Sequence, residues 1–190
     1  GCIDLNEWYS RCDDTDRPDY LHFDLDPVKG GGTTFATVRQ VALHVHEALE
    51  DLGIPAYAKT SGSAGIHVYI PIERGPLQKE VWTFAKAFAQ TMERMHPDVI
   101  TAEYRIAKRP AGRVLVDYNQ NAWGKTLASV YSVRATPREI VSTPVTVSRS
   151  LRPSCSMART WKNGSSRAPK RLCDRRAPLA IALRRPYPGV

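Results

Sequence analysis

Paired cysteines are missing from this chain. Cys2, Cys12, Cys155 and Cys173 show no CxxC spacing, and no histidine pair stands in metal-ligand register. That excludes a zinc finger and argues against a disulfide framework, so a reducing cytoplasm is the expected setting. Long apolar runs are missing too. Nothing approaches the roughly 20 residues of a membrane-spanning helix, and no basic region followed by an apolar stretch opens the chain. A soluble, unsecreted protein with no membrane partner is expected. Positive charge is scarce in the body of the chain. The 190 residues carry a formal +8, yet residues 147–190 hold eleven Lys and Arg against one acid, Asp174, while residues 1–146 hold sixteen against eighteen. The body is therefore slightly acidic, and the basic excess says little about its partners.

The length suits one hydrophobic core, expected over residues 1–146. Tyr20 to Asp26 alternates as a strand, with Leu21, Phe23 and Leu25 on one face. After Gly30-Gly31-Gly32, Thr33 or Thr34 can cap a helix whose stripe reads Phe35, Val38, Ala42, Val45, Leu49 and Leu52, ended by Gly53. Ala56 to Thr60 and Ile66 to Ile72 read as strands joined by the tight turn Ser61 to Gly65. A second helix follows Pro76, with Leu77, Val81, Phe84, Phe88, Met92 and Met95 as core, and stops before Pro97. Arg113 to Tyr118 and Thr126 to Arg134 complete the strands. This order predicts an α/β fold: a mixed sheet, helices packed on one face, a functional surface on the other. Residues 147–190, rich in Arg, Ser and Pro and without periodicity, are expected to be a disordered or non-native tail.

The chemistry centres on Asp24 and Asp26. Two residues apart in a strand, they share a face about 6.6 Å apart at roughly 3.3 Å per residue. Two like charges at 4 Å repel by roughly 4 kcal/mol at an effective dielectric of about 20, so a chain that keeps both ionised there calls for a divalent cation. The bland alternative is an Asp-rich strand end entering a turn. Asp117, bounded by apolar residues on another strand, needs a partner. If that strand neighbours the first, the three acids form an oxygen-rich site for two Mg²⁺ or Mn²⁺ ions, able to activate a hydroxyl and stabilise a leaving phosphate. The turn Ser61-Gly62-Ser63-Ala64-Gly65 offers hydroxyls and backbone N–H groups to a phosphate, but lacks the lysine of a P-loop. His67, on the polar face of its strand, could meet a triphosphate as an imidazolium or donate a proton. Arg134 is a candidate phosphate ligand, and Trp8, Tyr9, Trp82 and Trp123 are read as packing residues rather than base-stacking ones.

In combination, GCIDLNEWYSR, HFDLDP, KTSGSAGIHVYIPI, RVLVDYNQNAWGKTLASVYSVR and VSTPV, in this order and spacing, resemble the primase-polymerase domain associated with bacterial DNA ligase D. That family belongs to the archaeo-eukaryotic primase superfamily and has an RRM-like catalytic core. The likeness runs from about Gly1 to Val147. It implies template-directed addition of nucleotides to a 3′ hydroxyl during end-joining or gap-filling repair in the bacterial cytoplasm, near the nucleoid. The implied partners are DNA ends or a primer-template, ribo- or deoxyribonucleoside triphosphates, a DNA ligase and an end-binding repair protein. It makes Asp24, Asp26 and Asp117 the metal-binding acids, and places Ser61, Gly62, Ser63, His67, Gln120 and Arg134 along the incoming nucleotide.

The chain departs from the family pattern at Ala64, where relatives often carry Lys or Arg, and at Asn6, where many carry His. Family domains also begin upstream of Gly1, which makes this an expected partial core. The abrupt charge change near Val147 suggests a replaced continuation, with an arginine-rich arm on DNA phosphates as the alternative. Two rival functions remain: a catalytically silent fragment that binds nucleotides or DNA ends, and an Asp-x-Asp phosphohydrolase. The second lacks its threonine, since Val28 stands where Asp-x-Asp-x-Thr requires one.

Overall fold

Eight strands and two α-helices frame the computed structural model, which describes residues 4–135 and 140–145. The expectations for the tail, and for Cys2, Cys155 and Cys173, lie outside the described residues. In chain order the elements are β1 (Asn6–Glu7), β2 (Tyr20–Pro27), α1 (Phe35–Asp51), β3 (Tyr57–Thr60), β4 (Ile66–Pro71), α2 (Gln78–Met95), β5 (Ile100–Thr101), β6 (Val114–Asp117), β7 (Leu127–Ala128) and β8 (Pro144–Val145). The main sheet runs β5-β6-β2-β4-β3-β8, and β1 pairs with β7 in a separate two-stranded ribbon. Only β5 and β6 run parallel among these neighbours, which makes the sheet mixed, as expected.

Alternation along the strands divides the sheet into a greasy face and a chemical one. Leu21, Phe23 and Leu25 are fully buried, as are Val114 and Val116 on β6 and Ile70 on β4. These side chains form one core with Val38, Val41, Val45 and Leu49 of α1 and Val81, Phe88 and Met92 of α2. Phe23 and Phe88 stack at 5.0 Å between ring centroids, tying α2 to the central strand. Thr34 caps α1, its hydroxyl accepting from the Thr37 N–H. Four of the expected core residues sit at helix ends and are exposed instead: Phe35, Leu52, Leu77 and Met95. Val41, Ala48, Ala85 and Ala89, inside the helices, are buried in their place.

The strand expected over Thr126 to Arg134 is shorter than that. Only Leu127–Ala128 pairs as a strand, against β1. The chain then turns at Val130 and Tyr131, where Tyr131 takes φ 62°, a conformation incompatible with continuing a strand. It returns through a single bridge between Val133 and Val141.

The opposite face of β2 carries Tyr20, His22, Asp24 and Asp26. The Tyr20 end is roofed by the N-terminal segment: Tyr20 Oη donates to the Trp8 carbonyl at 3.0 Å and Tyr69 Oη to Glu7 Oε1 at 2.9 Å. Beside it, β6 ends at Asp117, opposite Asp24, so the N–H and C=O of His22 have no strand partner on that side. Asn121 stands in for the missing strand. Its Oδ1 accepts from the His22 N–H at 2.9 Å, and its Nδ2 donates to the carbonyls of His22 at 2.7 Å and Tyr118 at 2.9 Å. Asn121→Ala strands two buried backbone groups of the central strand and should cost about 2–3 kcal/mol, measured as a lower urea midpoint at unchanged m-value.

Candidate active site

Register alone brings the three acids together. Asp24 of β2 lies directly opposite Asp117 of β6, and Asp26 opposite Leu115. Cross-strand partners have Cα atoms roughly 4.5–5.5 Å apart, so both carboxyls on β2 and the one on β6 share the chemical face within a few ångströms. Asp24 is buried, Asp117 half-buried and Asp26 exposed at the sheet's end. Alternation puts Asp24 and Asp26 on one face, and the pairing of β6 with β2 adds Asp117 to it.

Burial pushes the Asp24 carboxyl well above its ordinary value, and the neighbouring charges of Asp26 and Asp117 add to the shift. Asp26 is raised too, by partial desolvation against the surrounding protein although its side chain reaches solvent, and by the charge of Asp117. Burial raises Asp117 as well, opposed by the Asn119 amide, which donates to Asp117 Oδ1 at 2.7 Å. Cationic groups stand nearby: Arg109 and Lys29 act on Asp26, Arg109 and Lys125 on Asp117, and Arg134 on both acids of β2.

Among the described residues, no three His, Cys, Asp or Glu side chains stand ready-arranged around a common cation position. The trio is a row of donors rather than a closed cage. Its chemistry nonetheless fits a hard divalent ion. The donors are all carboxylates, they repel one another, and Asp24 Oδ1 is buried with no hydrogen-bond partner. A cation would satisfy that oxygen and reverse the sign of the local repulsion.

The turn between β3 and β4 is clamped between Asp26 and Arg134. A Cβ on Gly65 would collide with Asp26 Oδ1, and one on Gly62 would come within 2.5 Å of Arg134 Cγ. Gly62 has φ 71°, which favours glycine in its own right. Ser61 is buried, and its Oγ accepts from the N–H groups of Ser63 at 3.1 Å and Gly65 at 3.0 Å. Its lone pairs shape the turn, leaving Ser63 and Ala64 at the exposed tip. Arg134 also lies 3.6 Å from Asp4 Oδ1. Gln120 is half-buried in the turn after β6 and directs its backbone N–H at Asp117.

His67 is opposite Asp24 on the other side of β2. Its Nε2 is 3.4 Å from Asp24 Oδ1, a close contact too poorly aligned for a hydrogen bond. Burial beside Lys59 pulls the imidazole down to about 3, so at neutral pH His67 is uncharged. The imidazolium expected from the sequence is corrected to a neutral ring. Other members of the site escaped sequence reasoning. Lys59 is buried behind His67, and Ser142 is fully buried against it. A register count around the Ser61–Gly65 turn, which pairs Lys59 with His67, was the available signal. Arg109 is held over the acids by a loop whose Gly112 packs backbone to backbone on Gly31, an approach no side chain permits. Its Nε donates to the Glu103 carbonyl at 3.0 Å.

The sequence profile described as "LigD, primase-polymerase domain" matches residues 1–174. A multifunctional non-homologous end joining protein LigD of Mycobacterium bovis is 36% identical over 126 residues, 66% of this chain and 16% of that protein. The LigD of Pseudomonas aeruginosa is 34% identical over 146 residues, 76% of this chain and 17% of its own length. The chain thus spans under a fifth of these relatives. Among solved structures, the polymerase domain from Mycobacterium tuberculosis ligase D in complex with DNA is 36% identical. It superposes with a TM-score of 0.63 over 68% of this chain and 44% of that one.

A carboxyl whose folded-state pKa exceeds the ordinary 3.8 keeps its proton where the unfolded chain has lost it, so stability falls as pH rises through that interval. With a chelator present, Asp24→Asn should match the parent's melting temperature near pH 4 and exceed it by a few degrees at pH 7. Calorimetric scans across pH measure that difference.

Proposed function

This chain belongs to the LigD primase-polymerase domain family, and we propose that it transfers a nucleotide from a nucleoside triphosphate to the 3′ hydroxyl of a template-paired DNA strand in end-joining or gap-filling repair. The observation that carries the reading is the placement of Asp117 opposite Asp24, with Asp26 on the same face. A DNA ligase and an end-binding repair protein are the proposed protein partners, in keeping with the end-joining names of the relatives.

In this reading Asp24, Asp26 and Asp117 hold two Mg²⁺ or Mn²⁺ ions, which when bound lower the pKa of the primer hydroxyl and neutralise charge on the phosphates. The hydroxyl oxygen, its proton passing to water, forms a bond to the α-phosphorus as the bond from that phosphorus to the bridging β-phosphate oxygen breaks, and pyrophosphate departs. The chain's own groups bind and orient. The turn offers the exposed Ser63 hydroxyl to the triphosphate, with the Gly62 backbone beside it. His67, Gln120 and Arg134 approach from the floor and sides. Such fixed donors stabilise the charge that builds up on phosphate oxygens, and each good one contributes about 10²–10³ in rate. The cations around the acids, Lys29, Arg109, Lys125 and Arg134, favour a polyanionic substrate over a neutral one.

Asp24→Ala or Asp117→Ala should lower Mn²⁺-dependent primer extension by at least about 10²-fold while circular dichroism stays unchanged. Extension by either variant near the parent's rate overturns the assignment. A parent chain that binds nucleotide by calorimetry but never extends a primer would favour the silent binding fragment.

A further inference from the structure

One buried cation directs none of its hydrogen bonds at the acids. Lys59 is 2% exposed, on the chemical face of β3, and an ammonium so deep is costly unless every N–H is matched. It has three donors and three partners: the Ala128 carbonyl at 2.6 Å, Ser142 Oγ at 2.7 Å and His67 Nδ1 at 2.9 Å. The Tyr69 ring, 5.6 Å from Nζ to its centroid, adds a cation–π contact on one side.

Counting protons decides which way each bond runs. The Ala128 carbonyl can only accept. The Ser142 hydroxyl spends its single proton on the Thr60 carbonyl at 2.8 Å, so toward Lys59 it also accepts. The third ammonium proton goes to His67 Nδ1, which must present a lone pair. Burial lowers Lys59 to about 8, which leaves it mostly protonated at pH 7 and keeps the count valid. A neutral imidazole with a lone pair at Nδ1 carries its proton at Nε2, the nitrogen that faces Asp24 Oδ1 at 3.4 Å.

We infer that Lys59, held by Ala128 and Ser142, is a positioning residue that locks His67 in its Nε2–H tautomer and so keeps a neutral hydrogen-bond donor aimed along the acid row at a phosphate oxygen of the incoming nucleoside triphosphate. The tautomer rests on the three hydrogen bonds of a protonated Lys59; its use on a phosphate rests on the polymerase reading above. Without the lysine, the ring populates both tautomers, and the Nδ1–H form turns a lone pair toward the phosphates. His67 is then a hydrogen-bond donor and not a proton donor. The device also gives a task to the edge segment at Ser142, whose hydroxyl completes the cradle from a separate strand region.

The test is long-range ¹H–¹⁵N spectroscopy of the histidine rings on the full chain at pH 7 without nucleotide, with His67 assigned by difference against His67→Gln. In the parent, His67 should show a protonated Nε2 and a lone-pair Nδ1. In Lys59→Met, which keeps the side chain's length, the two ring nitrogens should average toward a tautomer mixture. The KM for nucleotide should rise about tenfold with a smaller change in kcat, and Lys59→Arg should restore much of both. A parent His67 protonated at Nδ1 overturns the inference, and that reading needs no variant to fold. A folded Lys59→Met with an unchanged tautomer and KM overturns it as well. If the parent shows the expected tautomer yet extends no primer, the polymerase reading fails and takes the phosphate role with it, while the lysine's control of the tautomer stands.

Discussion

Two carboxyls of like charge face each other across the centre of the sheet, and every other feature of the site accommodates that pairing. Asp24 opposite Asp117 is unfavourable by roughly 4 kcal/mol if both are ionised at 4 Å in a medium of effective dielectric about 20. The register survives because the other face of the same strands is worth more. Leu21, Phe23, Leu25, Val114 and Val116 are fully buried, at about 1.5–3 kcal/mol each. A one-residue slip would exchange the two faces and lose all five. Hydrophobic burial thus imposes the electrostatic conflict, and the conflict in turn supplies affinity for a cation.

Across four neighbouring strands the same row continues: Asp117 on β6, Asp24 on β2, His67 on β4 and Lys59 on β3. Acids occupy one end and a buried ammonium the other, with a neutral imidazole between. Lys59 partly offsets the repulsion on Asp24, yet its own hydrogen bonds are directed at Ala128, Ser142 and His67. Lys59 thus offsets part of the negative charge on the row without taking up the carboxylate oxygens. The flanking glycines serve the same arrangement. Gly65 lets the turn approach Asp26, and the contact of Gly31 with Gly112 docks the loop that carries Arg109.

Much of this was legible before any coordinates. Period-two alternation in YLHFDLD and RVLVDY assigned the acids to one face, and the apolar stripes of both helices assigned the other. The misreadings share one cause, since periodicity describes an element's interior and not its ends. Met95 and Phe35 continue a stripe past the edge of what they pack against, and the TLASVYSVR segment keeps a strand's composition through a turn at Tyr131. Alternation assigned His67 to the chemical face but did not assign its charge. Its neutrality depends on how deeply the ring and Lys59 are buried, which alternation does not report.

By itself the sequence determined which residues share a face, because side-chain direction along a strand or helix follows from covalent geometry at fixed periods. It also determined the family, because five motifs in one order carry more information than any single acid pair. Tertiary structure alone decided that β6 lies beside β2 in the register that sets Asp117 against Asp24, that Asn121 replaces a missing strand, and that Lys59 has three acceptors. These are contacts between residues up to 99 positions apart, such as His22 with Asn121. Their energies exist only once the chain has closed those loops, so nothing local in the sequence encodes them.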